Sequence, residues 1–278
     1  MSGGLSSSSN DTSGDLSLAI GIGGVTVRVH TSDPRFLRVL EDRYAGFPGV
    51  GEADYEFEVE LIPDVPIPDD AADEDVSVVK AEGIWKLRRG DFRAEWDPAA
   101  CRGRIRQSIN PYSIDAVLRI VHSLVLAPRG GVLLHAASGI RNGRAFLFSG
   151  VSGAGKTTMA SLAPPDATLL TDEISYIRNE GGAWYAYGTP FAGELAKPGE
   201  NVRAPIGAIY LLAQGPENRI DPVSQADATR ALMRNILFFA DDPELTGAVF
   251  ETACRLAEQV PVRRLTFFPD ARVWELIQ

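Results

Sequence analysis

Gly150-Val151-Ser152-Gly153-Ala154-Gly155-Lys156-Thr157-Thr158 decides how the rest of this chain is read. It meets the pattern G-x-x-x-x-G-K-[ST] at every fixed position. In front of it, Arg144-Ala145-Phe146-Leu147-Phe148-Ser149 reads as a buried strand, and behind it Thr157 to Leu162 reads as the first turns of a helix. Strand, glycine loop and helix start form the setting in which such a loop cradles phosphate; without that setting the string is an ordinary Gly-rich turn. The loop N–H groups are expected to point into a concavity that binds phosphate oxygens, and the helix N-terminus adds partial positive charge. The spacing predicts that Lys156 reaches the β- and γ-phosphates of ATP and that the Thr157 hydroxyl ligates Mg²⁺. The expected nucleotide-binding set is Gly150, Ser152, Gly153, Ala154, Gly155, Lys156, Thr157 and Thr158.

Working outward, Val132 to Ser138 reads as a strand, and Asn142-Gly143 is the strongest hairpin signal in the chain. That hairpin sets the strand carrying His135 antiparallel to the strand entering the loop. His135 is therefore either a buried structural histidine or a group near the γ-phosphate. On the far side, Pro164-Pro165 stops the helix, and Ala167 to Thr171 reads as a strand ending in Asp172-Glu173, 16 residues beyond Lys156. A strand running into an acidic pair suits the carboxylates of a nucleotide kinase site, although a turn or a helix cap uses the same residues. A second hairpin is expected around Asn179 to Gly182, followed by a turn-rich loop from Gly188 to Glu194 that borders the site. Lys197 and Arg203 either contact phosphate or are solvated loop charges. Pro205 to Leu212 is a further buried strand. Ser224 caps a helix over Gln225 to Phe239, Asp242-Pro243-Glu244 opens another to Glu258, Val262 to Phe268 is a strand, and Asp270 to Ile277 a terminal helix.

Upstream of residue 110 the pattern changes. Met1 to Asp15 is Ser/Gly-rich with almost no apolar residues, so a disordered tail is expected. Leu16 to His30 alternates around Gly23-Gly24 as two strands, and Asp33-Pro34 starts a helix with Phe36, Leu37, Leu40 and Tyr44 on one stripe. Tyr55 to Ile62, Val76 to Val79, Ile84 to Leu87, Phe92 to Trp96 and Ile105 to Ser108 read as short strands, with an acidic, proline-bearing loop over Pro63 to Asp75. Pro111 to Ala127 reads as a helix bridging two halves, with Ile114, Val117, Leu118, Val121 and Leu124 on one face and His122 on it as a core or partly exposed histidine rather than a ligand. The fold expected is α/β with α+β elements: a smaller mainly-β domain over 16–110, then a phosphate-loop domain over 111–278.

Composition sets the boundaries. Hydrophobic residues make up 45% of 278, enough for a packed core, and the formal net charge of −10 argues against a nucleic-acid partner. Only four of the 27 basic residues are lysine (Lys80, Lys86, Lys156 and Lys197), yet one stands where the phosphate loop requires it. The longest apolar run, Val117 to Ala127, is interrupted by Arg119 and His122 and is too short for a membrane span. No signal-peptide pattern opens the sequence, and Cys101 and Cys254 lack metal-ligand spacing, so a cytoplasmic protein with two reduced thiols is expected.

Leu134-His135, the loop Gly150 to Thr157, and Thr171-Asp172-Glu173 together resemble the core of HPr kinase/phosphorylase, which is similar to that of phosphoenolpyruvate carboxykinase. The resemblance covers about residues 130 to 278. It implies that His135 lies near the transferring phosphoryl group and that Asp172 accepts the proton of the substrate hydroxyl. It also implies that Glu173, with Asp172 and Thr157, belongs to the metal site. This chain has Asp-Glu where the family has two aspartates, and it lacks the family's signature for docking HPr. Relatives of this kind phosphorylate serine on precursor peptides, and HPr kinases assemble from identical copies. The resemblance thus implies an ATP- and Mg²⁺-dependent serine kinase acting on a peptide or small carrier protein, with a homo-oligomer as an option. Asp172, His135 and Lys156 are its catalytic candidates. Two alternatives stay open: a small-molecule phosphotransferase of carboxykinase type, hinted at only by Arg203 and Arg219, and a nucleotide-dependent regulatory protein without transfer activity.

Overall fold

A computed structural model describes residues 16–62 and 76–277; the expected tail over 1–15 and the acidic loop over 63–75 lie outside them. The protein is mixed α/β, with two sheets and a few helices. The first sheet comprises β1 (Leu16–Ile22), β2 (Val25–Thr31), β3 (Tyr55–Leu61), β4 (Ser77–Ala81), β5 (Ile84–Arg89), β6 (Phe92–Asp97) and β7 (Arg102–Gln107), in the order β1-β2-β3-β7-β6-β5-β4. Between β2 and β3 runs α1 (Pro34–Tyr44), the crossover that two parallel neighbours require. Asp33 caps it by accepting from the N–H groups of Arg35 and Phe36. Alternation in β3 sends Tyr55, Phe57 and Val59 into the core. Its other face sets Glu56, Glu58 and Glu60 directly opposite Arg102, Arg104 and Arg106 of β7. These pairs are solvent-exposed, so they fix register more than they stabilise.

The helix expected to bridge the halves is α2 (Pro111–Leu126). Asn110 caps it, accepting from the N–H groups of Tyr112 and Ser113. The Ser113 hydroxyl donates to Asp91 in the β5–β6 turn, and Asp115 accepts from Tyr44 and Arg43 of α1. The expected apolar face of α2 is buried, in the same cluster as Ile20, Val27, Phe57 and Leu87 of the first sheet and Leu133, Ile174 and Tyr176 of the second. The helix tightens into a 3₁₀ turn at Ala127–Arg129 and stops at Gly130, whose φ of 67° is left-handed.

The second sheet is built from β8 (Gly131–Arg141), β9 (Arg144–Ser149), β10 (Thr168–Thr171), β11 (Ile174–Glu180), β12 (Ala183–Tyr187), β13 (Arg203–Gln214), β14 (Arg219–Pro222), β15 (Ile236–Leu237) and β16 (Val262–Phe267). Asn142 and Gly143, both at positive φ, make the tight β8–β9 hairpin that their sequence predicts. The long β8 pairs with β11 in its first half and β9 in its second; β13 likewise pairs with β12 and then, in parallel, with β9. Strands β8, β11, β12, β13 and β9 thereby close a ring, and β16 and β14 extend it beyond β13. Three helices complete this half: α3 (Lys156–Ser161), α4 (Gln225–Asn235) and α5 (Pro243–Gln259).

Two expectations are corrected here. The helix expected over 225–239 ends at Asn235, because Ile236 and Leu237 pair with Leu134 and Leu133 of β8 as β15. The terminal helix is a 3₁₀ helix over Ala271–Leu276. Cys101 and Cys254 are both free thiols, the first exposed and the second half-buried.

Candidate active site

Register brings the singled-out residues together where the end of β9 and the start of β11 flank the middle of β8. In β8, Ala136 faces Ser149 of β9 and His135 faces Ile174 of β11. The Ser149 hydroxyl donates to the His135 carbonyl at 3.1 Å, and the Ala136 N–H donates to the Glu173 carbonyl at 3.0 Å. The loop leaves β9 immediately after Ser149, so His135, Asp172-Glu173 and the loop root share a level. Within the loop Gly153 and Gly155 adopt φ of 76° and 105°, and a Cβ on Gly155 would lie 2.5 Å from the Phe267 ring. Glycine is required there for both reasons. The Gln214 side chain steadies the turn by donating to the Gly153 carbonyl at 2.8 Å.

Lys156 opens α3 and is buried. Its ammonium donates to the carbonyls of Gly150 at 3.0 Å and Val151 at 3.2 Å, so the charge sits inside the curl of the loop. Burial pulls its pKa down, and the nearby Glu173 and Glu194 carboxylates oppose that. Thr157 and Thr158 are half-buried on the first turn of α3, while Ser152 and Gly153 are exposed and Ala154 and Gly155 half-buried. Half-buried His135 is held below the usual histidine pKa by desolvation first, then by the positive charges of Lys156 and Arg119. Both effects favour the neutral imidazole.

Asp172 is 2% exposed. Its Oδ1 accepts from the N–H of Gly193 at 2.8 Å and its Oδ2 from the N–H of Leu195 at 2.9 Å. Asp172 thereby ties the 193–195 segment to the end of β10, and a Cβ on Gly193 would approach Oδ2 to 2.9 Å. The chain turns from β10 into β11 because the Thr171 hydroxyl accepts from the N–H groups of Glu173 and Ile174. Glu173 projects differently: its Oε2 accepts from Arg119 of α2 at 2.9 Å. Burial pushes its pKa up, with Arg119 acting against that shift and Asp172 adding to it.

Sequence reading missed Arg119. It registered only as a break in an apolar run, whereas its guanidinium lies 5.1 Å from the centroid of the Phe191 ring and pairs with Glu173. The available signal was the one basic side chain besides His122 on a mostly apolar helix. Arg203 does not reach the loop. It pairs with Glu180 and Tyr187, and stands eight residues along β13 from Leu211, which faces Ser149, a separation of about 26 Å. Arg219 pairs with Asp221, and Lys197 is exposed. His122 is fully buried, with Nδ1 3.5 Å from the Tyr176 hydroxyl, and belongs to the core.

Among the described residues no cluster of three His, Cys, Asp or Glu side chains could hold a metal on its own. The candidate donors are the Thr157 hydroxyl on the first turn of α3 and the Glu173 and Asp172 carboxylates in the β10–β11 turn. This set fits Mg²⁺, which takes one or two carboxylates and completes its shell with phosphate oxygens and water. A half-buried Glu173 whose charge is disfavoured by desolvation is also a group that a divalent cation would stabilise.

The family model described as SynChlorMet cassette protein ScmC matches residues 104–278, more than half of the chain. The chain belongs to the ScmC family. The matched span begins within β7 and takes in α2, the phosphate loop, Asp172-Glu173 and the whole second sheet, so the ScmC description covers every candidate site residue. It states no activity. No curated protein matches the sequence. Among solved structures, the chain is similar to the HPr(Ser) kinase/phosphatase from Coxiella burnetii, at 12% identity over 45% of this chain and 92% of that one. The TM-score is 0.24, and a superposition that loose carries no weight for fold or chemistry. No helix among the described residues is long and apolar enough to cross a membrane.

Proposed function

We propose that this ScmC-family chain is an ATP- and Mg²⁺-dependent kinase that transfers phosphate to a serine hydroxyl of a peptide or small protein. The observation that carries the reading is the meeting of the end of β9, the middle of β8 and the β10–β11 turn. There the loop with its buried Lys156, His135 and the Asp172-Glu173 pair lie at one level of the second sheet. In this reading the loop N–H groups and Lys156 hold the triphosphate, and Thr157 and Glu173 hold the metal. Mg²⁺, when bound, neutralises charge on the phosphates. The two N–H donors fix the Asp172 carboxylate in one orientation, and each oxygen keeps a second lone pair for the hydroxyl proton. The serine oxygen forms its bond to the terminal phosphorus as the bond to the ADP oxygen breaks, and Asp172 takes the proton. In this reading His135, as the neutral imidazole, donates one hydrogen bond to a phosphoryl oxygen.

The burial of Asp172 favours a second reading, a nucleotide-dependent binding protein without transfer, in which that carboxylate only holds the 193–195 segment. Incubation with γ-labelled ATP and candidate peptides separates the two. The kinase reading expects Asp172→Asn to lose at least about 100-fold in transfer while ATP is still bound, with a lowered melting temperature because the amide nitrogen cannot accept from one of the two backbone N–H groups. Transfer that survives Asp172→Asn unchanged removes the base assignment. ATP binding with neither transfer nor hydrolysis selects the second reading.

A further inference from the structure

We propose that Arg119 is a second phosphate-facing cation of this site: it exchanges its contact with Glu173 for the terminal phosphoryl group of a bound nucleoside triphosphate. The inference rests on the nucleotide reading above and adds to it a residue from outside the loop and its strands.

Four observations support it. First, Arg119 projects from a helix anchored in its first turns and buried along one face. Asn110 caps α2, Ser113 is bonded to Asp91, and Asp115 accepts from both Tyr44 and Arg43. The Cα of residue 119 is therefore fixed, and only the side chain has to move. Second, the guanidinium is held from two sides. The Phe191 ring supports it at 5.1 Å, and Glu173 Oε2 accepts from Nη2 at 2.9 Å. Phe191 and the 193–195 segment tied to Asp172 belong to the same connection between β12 and β13, so the support and the carboxylate pair form one structure. Third, the contact with Glu173 uses one of five N–H donors, and the buried Nε has no partner. A buried arginine nitrogen without an acceptor is costly, and an incoming anion would repay it. Fourth, the site carries more acid than base. Glu173 and Glu194 lie near Lys156, whose ammonium is already turned onto the loop carbonyls, and Asp172 adds its charge beside Glu173. A triphosphate entering that field needs further positive charge, and the planar fork of arginine suits two phosphoryl oxygens. The electrostatic effect of Arg119 and Lys156 together on His135 agrees with all three facing one space.

The competing account is that Arg119 is merely the counter-charge of half-buried Glu173. Nucleotide binding distinguishes the two without recourse to transfer activity. Affinities for a non-hydrolysable ATP analogue and for ADP are measured by calorimetry on the full chain, as wild type, Arg119→Met, Glu173→Gln and the double variant. Arg119→Met is expected to weaken the triphosphate by about 10- to 100-fold and leave ADP unchanged, because only the terminal phosphoryl is contacted. The same loss is expected in the Glu173→Gln background, where there is no charge to neutralise. Arg119→Lys is expected to recover part of the preference, since it keeps the charge and loses the fork; it also serves if Arg119→Met does not fold. An equal loss for ATP analogue and ADP, or a loss that vanishes with Glu173→Gln, overturns the proposal. Wild-type protein that binds neither nucleotide overturns the nucleotide reading itself, which is a separate failure.

Discussion

At the scale of single residues, His122 gives the plainest physical prediction. It is fully buried with Nε2 unpartnered, and desolvation pushes its pKa down to about 3 from 6.5. The folded protein therefore refuses a proton that the unfolded chain accepts between those values. Stability supplied by the neutral histidine is complete above pH 6.5 and is lost as pH falls, by about 1.4 kcal/mol per pH unit down to pH 3. Urea unfolding of wild type and His122→Leu from pH 7 to pH 4 checks this: the wild type should lose about 3 kcal/mol more than the variant. Parallel losses would show that His122 takes up its proton without cost. The sequence put His122 on an apolar helical face as a core or partly exposed residue, and the structure buries it fully. Gly155 was equally legible, because the loop pattern demands a left-handed glycine, though the Phe267 ring behind it was not. Arg119 was invisible as a site residue. Its meaning depends on Glu173, 54 positions away, and no local period encodes that pairing.

Among the elements, α2 has most to do with the site, since it carries Arg119 and links the sheets. Its start is defined by Asn110, which accepts from two backbone N–H groups and whose amide donates to Ser108. Asn110→Ala is expected to cost about 1 kcal/mol of stability, the usual worth of a cap. Thermal unfolding reads the loss directly, and no change in melting temperature would mean that the helix end is held by Ser113 and Asp91 alone. The elements also divide by how local their causes are. The β8–β9 hairpin, the cap of α1 and the proline stop after α3 came from two or three adjacent residues and appear as expected. The end of α4 did not. Helical spacing continues through Ile236 and Leu237, and only the open edge of β8 beside Leu133 and Leu134 diverts them into a strand. The parallel pairing of β13 with both β9 and β16 is likewise long-range, so the closed ring it completes had no sequence signature.

On the scale of the whole molecule, the sequence suggested a boundary near residue 110, where composition shifts from short strands to the helix before the loop. The packing joins what that boundary would divide. Ile114, Val117, Leu118 and Val121 are buried in one cluster with residues of both sheets, and Tyr176 of β11 packs so closely under the β1–β2 turn that a Cβ on Gly23 would lie 2.1 Å from its ring. Arg178 adds a hydrogen bond to the Gly23 carbonyl. Removing either half would leave the apolar face of α2 open to water, at about 25 cal/mol for each Å² exposed. The two sheets are accordingly expected to unfold together. The four tryptophans allow a direct check, because Trp85 and Trp96 are buried in the first sheet while Trp184 and Trp274 report on the second half. In one variant only the first pair is kept and in another only the second, with phenylalanine in the vacated positions. Within each variant the fluorescence midpoint in urea should coincide with the midpoint of far-ultraviolet circular dichroism, which reports the whole chain. A fluorescence transition that precedes the dichroism in one variant and follows it in the other would mean that the halves unfold separately. Arg119 would then sit on an element able to part from the sheet that carries Glu173, and nucleotide binding would depend on how the halves dock. Coincident midpoints mean that the phosphate loop, Asp172-Glu173 and Arg119 are held by one cooperative unit, as the shared burial of α2 requires.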